Sequence, residues 1–246
     1  MPCKQRLERA LVTVFRACDE NRVAEPLVRD DVLPQRLTDM ARLQHAVSLV
    51  RVSDLEPATV EPLLRGRFGR PYRFQPECAS TQRLLQDDDP EGAVVATDHQ
   101  TEGRGRLGRR WEDVPGASLL VSVLLRPTLP MPLWPELSLV AGEAVAAALR
   151  AETGIDATLR HPNDVVVAGR KLVGVLPEAS AGRVVLGIGV NVNQERDELP
   201  VDTVKPPTSV RLEAGRPVER GPLLAAILLE LERRYDRWLS RGTGPS

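Results

Sequence analysis

The chain has 246 residues, 42% of them hydrophobic, which is enough for one domain of moderate size with a core of its own, or for one domain with a small appendage. Its 33 basic and 34 acidic residues nearly cancel to a net charge of -1, so no whole-chain field marks it for nucleic acid or an anionic membrane, and any anion site has to be local. No apolar run reaches the ~18 uncharged residues a spanning helix needs, and charges throughout residues 1–30 exclude a signal-peptide core, so the expected location is the cytoplasm. Cys3, Cys18 and Cys78 lack the spacing of a metal knuckle or redox pair and read as reduced thiols.

Leu7, Leu11, Val14, Phe15 and Cys18 recur at helical spacing, as do Leu37, Met40, Ala41, Leu43, Val47 and Val50, with turns at Glu25-Pro26 and Leu33-Pro34 between them. Residues 1–51 are thus expected to form a helical appendage, and residues 52–246 the main domain. Ser53 to Gly69, with Pro57 and Pro62, reads as a connector. Beyond Pro71 the pattern alternates. Ala93 to Thr97 and Ser118 to Leu125 are β-rich apolar runs, and Leu137 to Leu149 is an alanine-rich helix that Gly154 helps to stop. Val165 to Val167 and Leu172 to Leu176 flank Ala168-Gly169-Arg170, a hairpin signal with glycine available for positive φ. Val184 to Val192 is a further strand, and Leu223 to Leu239 a closing helix. Pro177, which cannot donate to a ladder, predicts an edge position or a bulge. Hairpins followed by helices argue for an α+β fold, a mixed and mainly antiparallel sheet packed by helices.

Gly103, Gly105 and Gly108 satisfy G-x-G-x-x-G, the spacing of a dinucleotide fingerprint, but the context is wrong. That fingerprint opens a helix, whereas here Arg109, Arg110 and Trp111 follow and the next element is a strand after Pro115-Gly116. The loop is better suited to another task. Glycines let the backbone approach a ligand and expose its N–H groups, while Arg104, Arg106 and Arg109 present planar forks that match carboxylate and phosphate oxygens. Against this arginine background lysine is scarce: only Lys4, Lys171 and Lys205 occur. Neighbours on a strand point to opposite faces, so one of Arg170 and Lys171 must face inward.

Read with its surroundings, the run from Gln100 to Trp111 closely resembles the signature loop of biotin protein ligases. Ser80-Thr81-Gln82 resembles that family's biotin contact, Arg160-His161-Pro162-Asn163-Asp164 its Lys-Trp-Pro-Asn-Asp segment, Arg170 to Leu176 its Lys-Leu-Ala-Gly-Ile-Leu strand, and Gly187 to Asn193 its Gly-Ile-Gly-Ile-Asn turn. The five segments occur in the family's order and span Tyr72 to about Leu239.

The resemblance implies a catalytic domain of the class II aminoacyl-tRNA synthetase and biotin synthetase-like fold, which activates biotin with ATP and Mg2+ and passes it to a lysine of a biotin carboxyl carrier protein. It implies that Ser80, Thr81, Gln82 and Gln100 hold the biotin ring, that Arg104, Gly105 and Arg106 contact biotin and its adenylate, and that Lys171 binds the biotin carboxylate and ATP phosphate. Arg109, Trp111, Asn163 and Asn191 then fall beside ATP or the adenylate, and Asp164 becomes the candidate magnesium ligand, since a hard cation favours carboxylate oxygen. Lys171, Arg106 and Asp164 are the expected catalytic residues, with Asp164 a candidate acceptor of the carrier lysine's proton.

The chain departs from the family pattern in places. Arg160-His161 replaces Lys-Trp, which predicts an altered pocket wall. The family's small C-terminal β-barrel is expected to be missing, and residues 1–50, with eight Lys/Arg against seven Asp/Glu, do not look like its winged-helix DNA-binding domain. The rival readings are a lipoate or octanoate ligase or transferase of the same fold, a biotin-sensing transcriptional regulator and a non-catalytic binding domain. A homodimer is left open.

Overall fold

A computed structural model describes residues 53–201, 203 and 205–243. The chain divides between Arg51 and Val52, and the described residues all belong to the second unit. The expected helices before Arg51 lie outside the described residues.

Seven strands form one sheet in the order β1-β2-β3-β7-β6-β5-β4, where β1 is Tyr72–Cys78, β2 Val94–Gln100, β3 Ser118–Leu125, β4 Thr158–Arg160, β5 Asp164–Val167, β6 Arg170–Ser180 and β7 Arg183–Asn191. Only β1 and β2 are parallel; the other neighbours are antiparallel. The architecture is thus the α+β arrangement expected, with the β1 and β4 edges added to the strands legible in sequence. The hairpin between β5 and β6 turns through Ala168 at φ 46° and Gly169 at φ 79°, the double positive φ that matches the twist of a two-residue loop. Pro177 pairs with Leu186 of β7, while β5 contacts β6 only as far as Gly174, so the proline stands on a free edge.

Strand alternation sorts the two faces. Leu119, Val121, Val123 and Leu125 of β3, with Val184, Leu186, Ile188 and Val190 of β7, join one core with the helices. Those helices are α2, Leu137–Thr153, and α4, Arg220–Leu239, with a short α3, Val210–Ala214, between them in the chain. Gly154 ends α2 in the left-handed region at φ 73°, its N–H bonded to Arg150 O. In α4 the buried Leu224, Ile227, Leu228, Leu231, Tyr235 and Trp238 recur every three or four residues.

The segment read as a connector is part of this core. It folds into a short helix, α1, Pro57–Val60, and a 3-10 turn, Glu61–Leu63, and it buries Leu55, Val60, Leu64 and Phe68. Its prolines start helical turns at a position where a missing N–H costs nothing. Beneath it Arg220, 4% exposed, pairs with Asp54 and Asp98 and donates to Ser118 O at 3.0 Å.

Candidate active site

The face of the sheet turned away from α2 and α4 is nearly bare at its centre. Gly174 of β6 and Gly189 of β7 are direct cross-strand partners, and Gly187 follows two residues along. A Cβ on Gly189 would fall 2.8 Å from the Trp111 ring, one on Gly174 also 2.8 Å from it, and one on Gly187 3.0 Å from the Gln82 amide carbon. The glycines are therefore the floor on which these two side chains lie. Alternation with Ile188 and Val190 leaves that floor bare while the other face stays full.

Above the floor is a cavity of about 1020 Å³. Thr81, Gln82, Gln100, Arg104, Gly105, Arg106, Arg109, Trp111, Asn163, Asp164, Lys171 and Asn191 all line it. Of the residues assigned from the sequence, Ser80 alone is not in the lining; it is buried at the start of the 3-10 turn Thr81–Leu84. Gln100 Oε1 accepts from Thr81 N at 2.9 Å and Thr81 Oγ1 at 3.2 Å, and that hydroxyl sits 2.7 Å from Ser122 Oγ. Gln82 Nε2 donates to Leu176 O at 3.2 Å. These polar groups are locked to one another, as a preorganised pocket requires.

The glycine and arginine loop closes another side. No α-helix follows it: Arg106–Gly108 is a 3-10 turn with Leu107 at φ 60°, and the chain then runs on to β3, which disposes of the dinucleotide reading. Arg104 Nη2 donates to Glu178 of β6 at 2.7 Å, and Arg106 Nη1 donates to Asn163 Oδ1 at 3.1 Å. Asn163 is itself fixed, donating through Nδ2 to Val175 O at 2.9 Å. Arg109 is exposed and donates to Arg106 O at 3.2 Å.

At the start of β6 the inward residue is Lys171. Arg170 points away and is held in a two-pronged pair by Glu213, at 3.0 and 2.9 Å. Lys171 Nζ lies 3.1 Å from Asp164 Oδ1 and 5.6 Å from the centre of the Trp111 ring, within cation–π range. The second oxygen of Asp164 accepts from Lys205. Two of the chain's three lysines thus meet on one carboxylate. Burial by itself would raise the Asp164 pKa, but the hydrogen bond from Lys205 and the charge of Lys171 outweigh it and hold the group below the usual carboxylate range.

Asp164, the candidate magnesium ligand, carries an ammonium group on each oxygen, and among the described residues no group of three or more His, Cys, Asp or Glu is arranged to hold a metal ion. A carboxylate so neutralised is a poor acceptor for a lysine proton, whose free pKa is ~10.4. Arg160 and His161 are exposed and are not among the residues lining the cavity, which begins at the adjoining Pro162 and Asn163.

Asn191, expected near the nucleotide, lines the cavity but spends its amide on Thr208 O, at 3.0 Å. Sequence reasoning also passed over Lys205, although its rarity was a usable signal, and Asp113. Asp113 Oδ2 is hydrogen-bonded to His99 Nδ1 at 2.9 Å and accepts from Gln100 N at 3.4 Å; burial pushes its carboxyl up, against the pull of the His99 hydrogen bond. Nothing in sequence spacing marks that pair.

A mixed sheet of this order, with helices on one face and a cationic loop over the other, agrees with the class II synthetase and biotin synthetase-like fold that the resemblance implies. The Biotin/lipoate A/B protein ligase family matches residues 74–195. The bifunctional ligase/repressor BirA of Bacillus subtilis is 36% identical over 187 residues, covering 72% of this chain and 58% of that protein. The biotin--[acetyl-CoA-carboxylase] ligase of Mycobacterium tuberculosis is 39% identical over 160 residues, 63% of this chain and 59% of that protein. The solved biotin protein ligase from Aquifex aeolicus in complex with biotin and ATP superposes with a TM-score of 0.63 at 34% identity, covering 68% of this chain and 71% of that one. The chain belongs to the biotin protein ligase family. It spans 58% and 59% of the length of the two curated relatives named.

Proposed function

We propose that the chain is an ATP-dependent biotin protein ligase. It joins biotin to AMP with release of pyrophosphate, then transfers biotin to a specific lysine of a biotin carboxyl carrier protein. The observation that supports this reading best is the convergence of Arg104, Arg106, Arg109 and Lys171, from two distant segments, on the one cavity that Thr81, Gln82 and Gln100 also line.

In the first step a carboxylate oxygen of biotin attacks the α-phosphorus and pyrophosphate leaves. Bringing those two anions to ~4 Å costs on the order of 4 kcal/mol at an effective dielectric of 20, and preplaced cations offset it. A carboxylate with a pKa near ~4 is already ionised at neutral pH, so this step needs no base. Thr81, Gln82 and Gln100 orient the ring end of biotin, and the loop arginines with Lys171 surround the reacting end. In the second step the acceptor amine attacks the acyl carbon and AMP leaves, the proton going to solvent or to a group of the carrier. Magnesium would enter with ATP, as the counter-ion of its phosphates. Among the described residues no helix is long and apolar enough to cross a membrane. The cytoplasm is the location proposed for the reaction.

The test mixes the protein with magnesium-ATP and an apo biotin carboxyl carrier domain, with either biotin or lipoate, and weighs the carrier by mass spectrometry. A gain of one biotin on a single lysine supports the reading. Lipoate gain alone would move the chain to the lipoate branch, and no gain with either would overturn the proposal.

A further inference from the structure

Lys205 stands opposite Lys171 across a shared carboxylate, and the backbone holds it there. Lys171 N donates to Pro206 O at 2.8 Å and Thr208 N donates to Lys171 O at 2.8 Å, so residues 206–208 pair alongside the very residue whose side chain meets Lys205 on Asp164. Thr208 is pinned in turn, its carbonyl by Asn191 and its hydroxyl by Glu213. Thr203 Oγ1 donates to Lys205 O at 2.6 Å. Lys205 also lines the cavity.

We propose that Lys205 is a positioning residue for the anion site: by holding Asp164 it leaves Lys171 free to turn to an incoming phosphate or carboxylate oxygen. Were Asp164 and Lys171 alone, they would form a closed neutral pair, and an anion entering the cavity would have to compete with the carboxylate for its only cation, leaving a half-buried charge behind. With Lys205 present the cluster carries one net positive charge. Lys171 can change partners while Asp164 keeps one, so the exchange exposes no uncompensated ion. The assignment rests on the biotin-activating reading for its substrate, but the anion chemistry stands apart from it.

Two probes separate the two. Inorganic pyrophosphate binding to the whole chain is followed by isothermal titration, and biotinyl-AMP formation is followed by release of pyrophosphate from ATP. Lys205→Met is expected to weaken pyrophosphate binding and lower the kcat for adenylate formation, each about tenfold, with the KM for biotin changing less than about threefold. Lys205→Arg, which keeps a cation on Asp164, should recover most of the loss. The double variant Lys205→Met with Asp164→Asn should recover to within about threefold, because the carboxylate that captures Lys171 is gone. A purely structural role for Lys205 would leave the double variant at least as impaired as the single one. The proposal is overturned if Lys205→Met matches the unaltered protein, if the double variant is no better than the single, or if the unaltered protein binds no pyrophosphate. Should the pyrophosphate pattern hold while no biotinyl-AMP forms, the role of Lys205 stands and the biotin reading falls.

Discussion

Filling the bare floor of the site is the sharpest test of its geometry. In Gly189→Ala the new methyl would sit 2.8 Å from Trp111 Cε2 and Cζ2. Carbon contacts settle at ~3.5–4.0 Å, so the overlap is roughly 1 Å, against a rigid ring rather than a flexible tip. The backbone from which the ring hangs is fixed, Trp111 N being bonded to Gly103 O at 3.0 Å, so relief has to come from the side-chain torsions. Overpacking of this kind costs ~1–3 kcal/mol, against a gain of about 0.5–1 kcal/mol from removing glycine's backbone freedom in a strand, so Gly189→Ala should destabilise by about 1–2 kcal/mol. Urea unfolding of Gly189→Ala, Trp111→Ala and the double variant measures this. With the indole gone the added methyl should become neutral or mildly stabilising, and the cycle should show a coupling of about 1–2 kcal/mol. An equal cost of Gly189→Ala in both backgrounds would refute the placement of Trp111 on the glycine floor.

Arg220→Met leaves Asp54 and Asp98 without their shared cation beneath the sheet, and should cost about 3–5 kcal/mol and lower Tm by about 10 °C in calorimetry; a fall under about 3 °C would contradict the reading. Burial alone would raise the carboxyls of Asp89, Asp164 and Glu213, but Arg73, the Lys205 and Lys171 pair, and Arg170 respectively bring them below the usual range. Their folded pKa values lie under the unfolded ones, so the stability they contribute is complete above about pH 5 and is lost as pH falls through the folded values. The urea midpoint should therefore drop on acidification, and Asp164→Asn should make that limb shallower; an unchanged limb would show that Asp164 is not so paired. Arg106→Gly removes the link from the loop to Asn163, and a charge-assisted contact of this kind is worth enough that biotinyl-AMP should escape about tenfold faster and label lysines of a bystander protein. A variant that stays carrier-specific at normal rate would argue against a clamp at this position.

Sequence alone determined whatever is local along the chain. The apolar run of β3, the stop of α2 at Gly154, the Ala168-Gly169 turn and the free edge at Pro177 each follow from the φ or the N–H that one residue type allows, and a neighbour a few residues away completes the argument. The order of the five motif segments also carried the family. Spacing could not say which side chain meets which across long separations. Lys205 lies 41 residues from Asp164 and Arg106 57 from Asn163, and only the folded sheet brings each pair together. The same limit explains the misses. Prolines between Ser53 and Gly69 read as a linker because periodicity is broken there, yet Leu55 and Phe68 find their partners on α4 and the sheet and are buried. Asp164 read as a metal ligand because a carboxylate beside a nucleotide site is a hard donor; that an ammonium group stands on each of its oxygens is visible only in the tertiary structure.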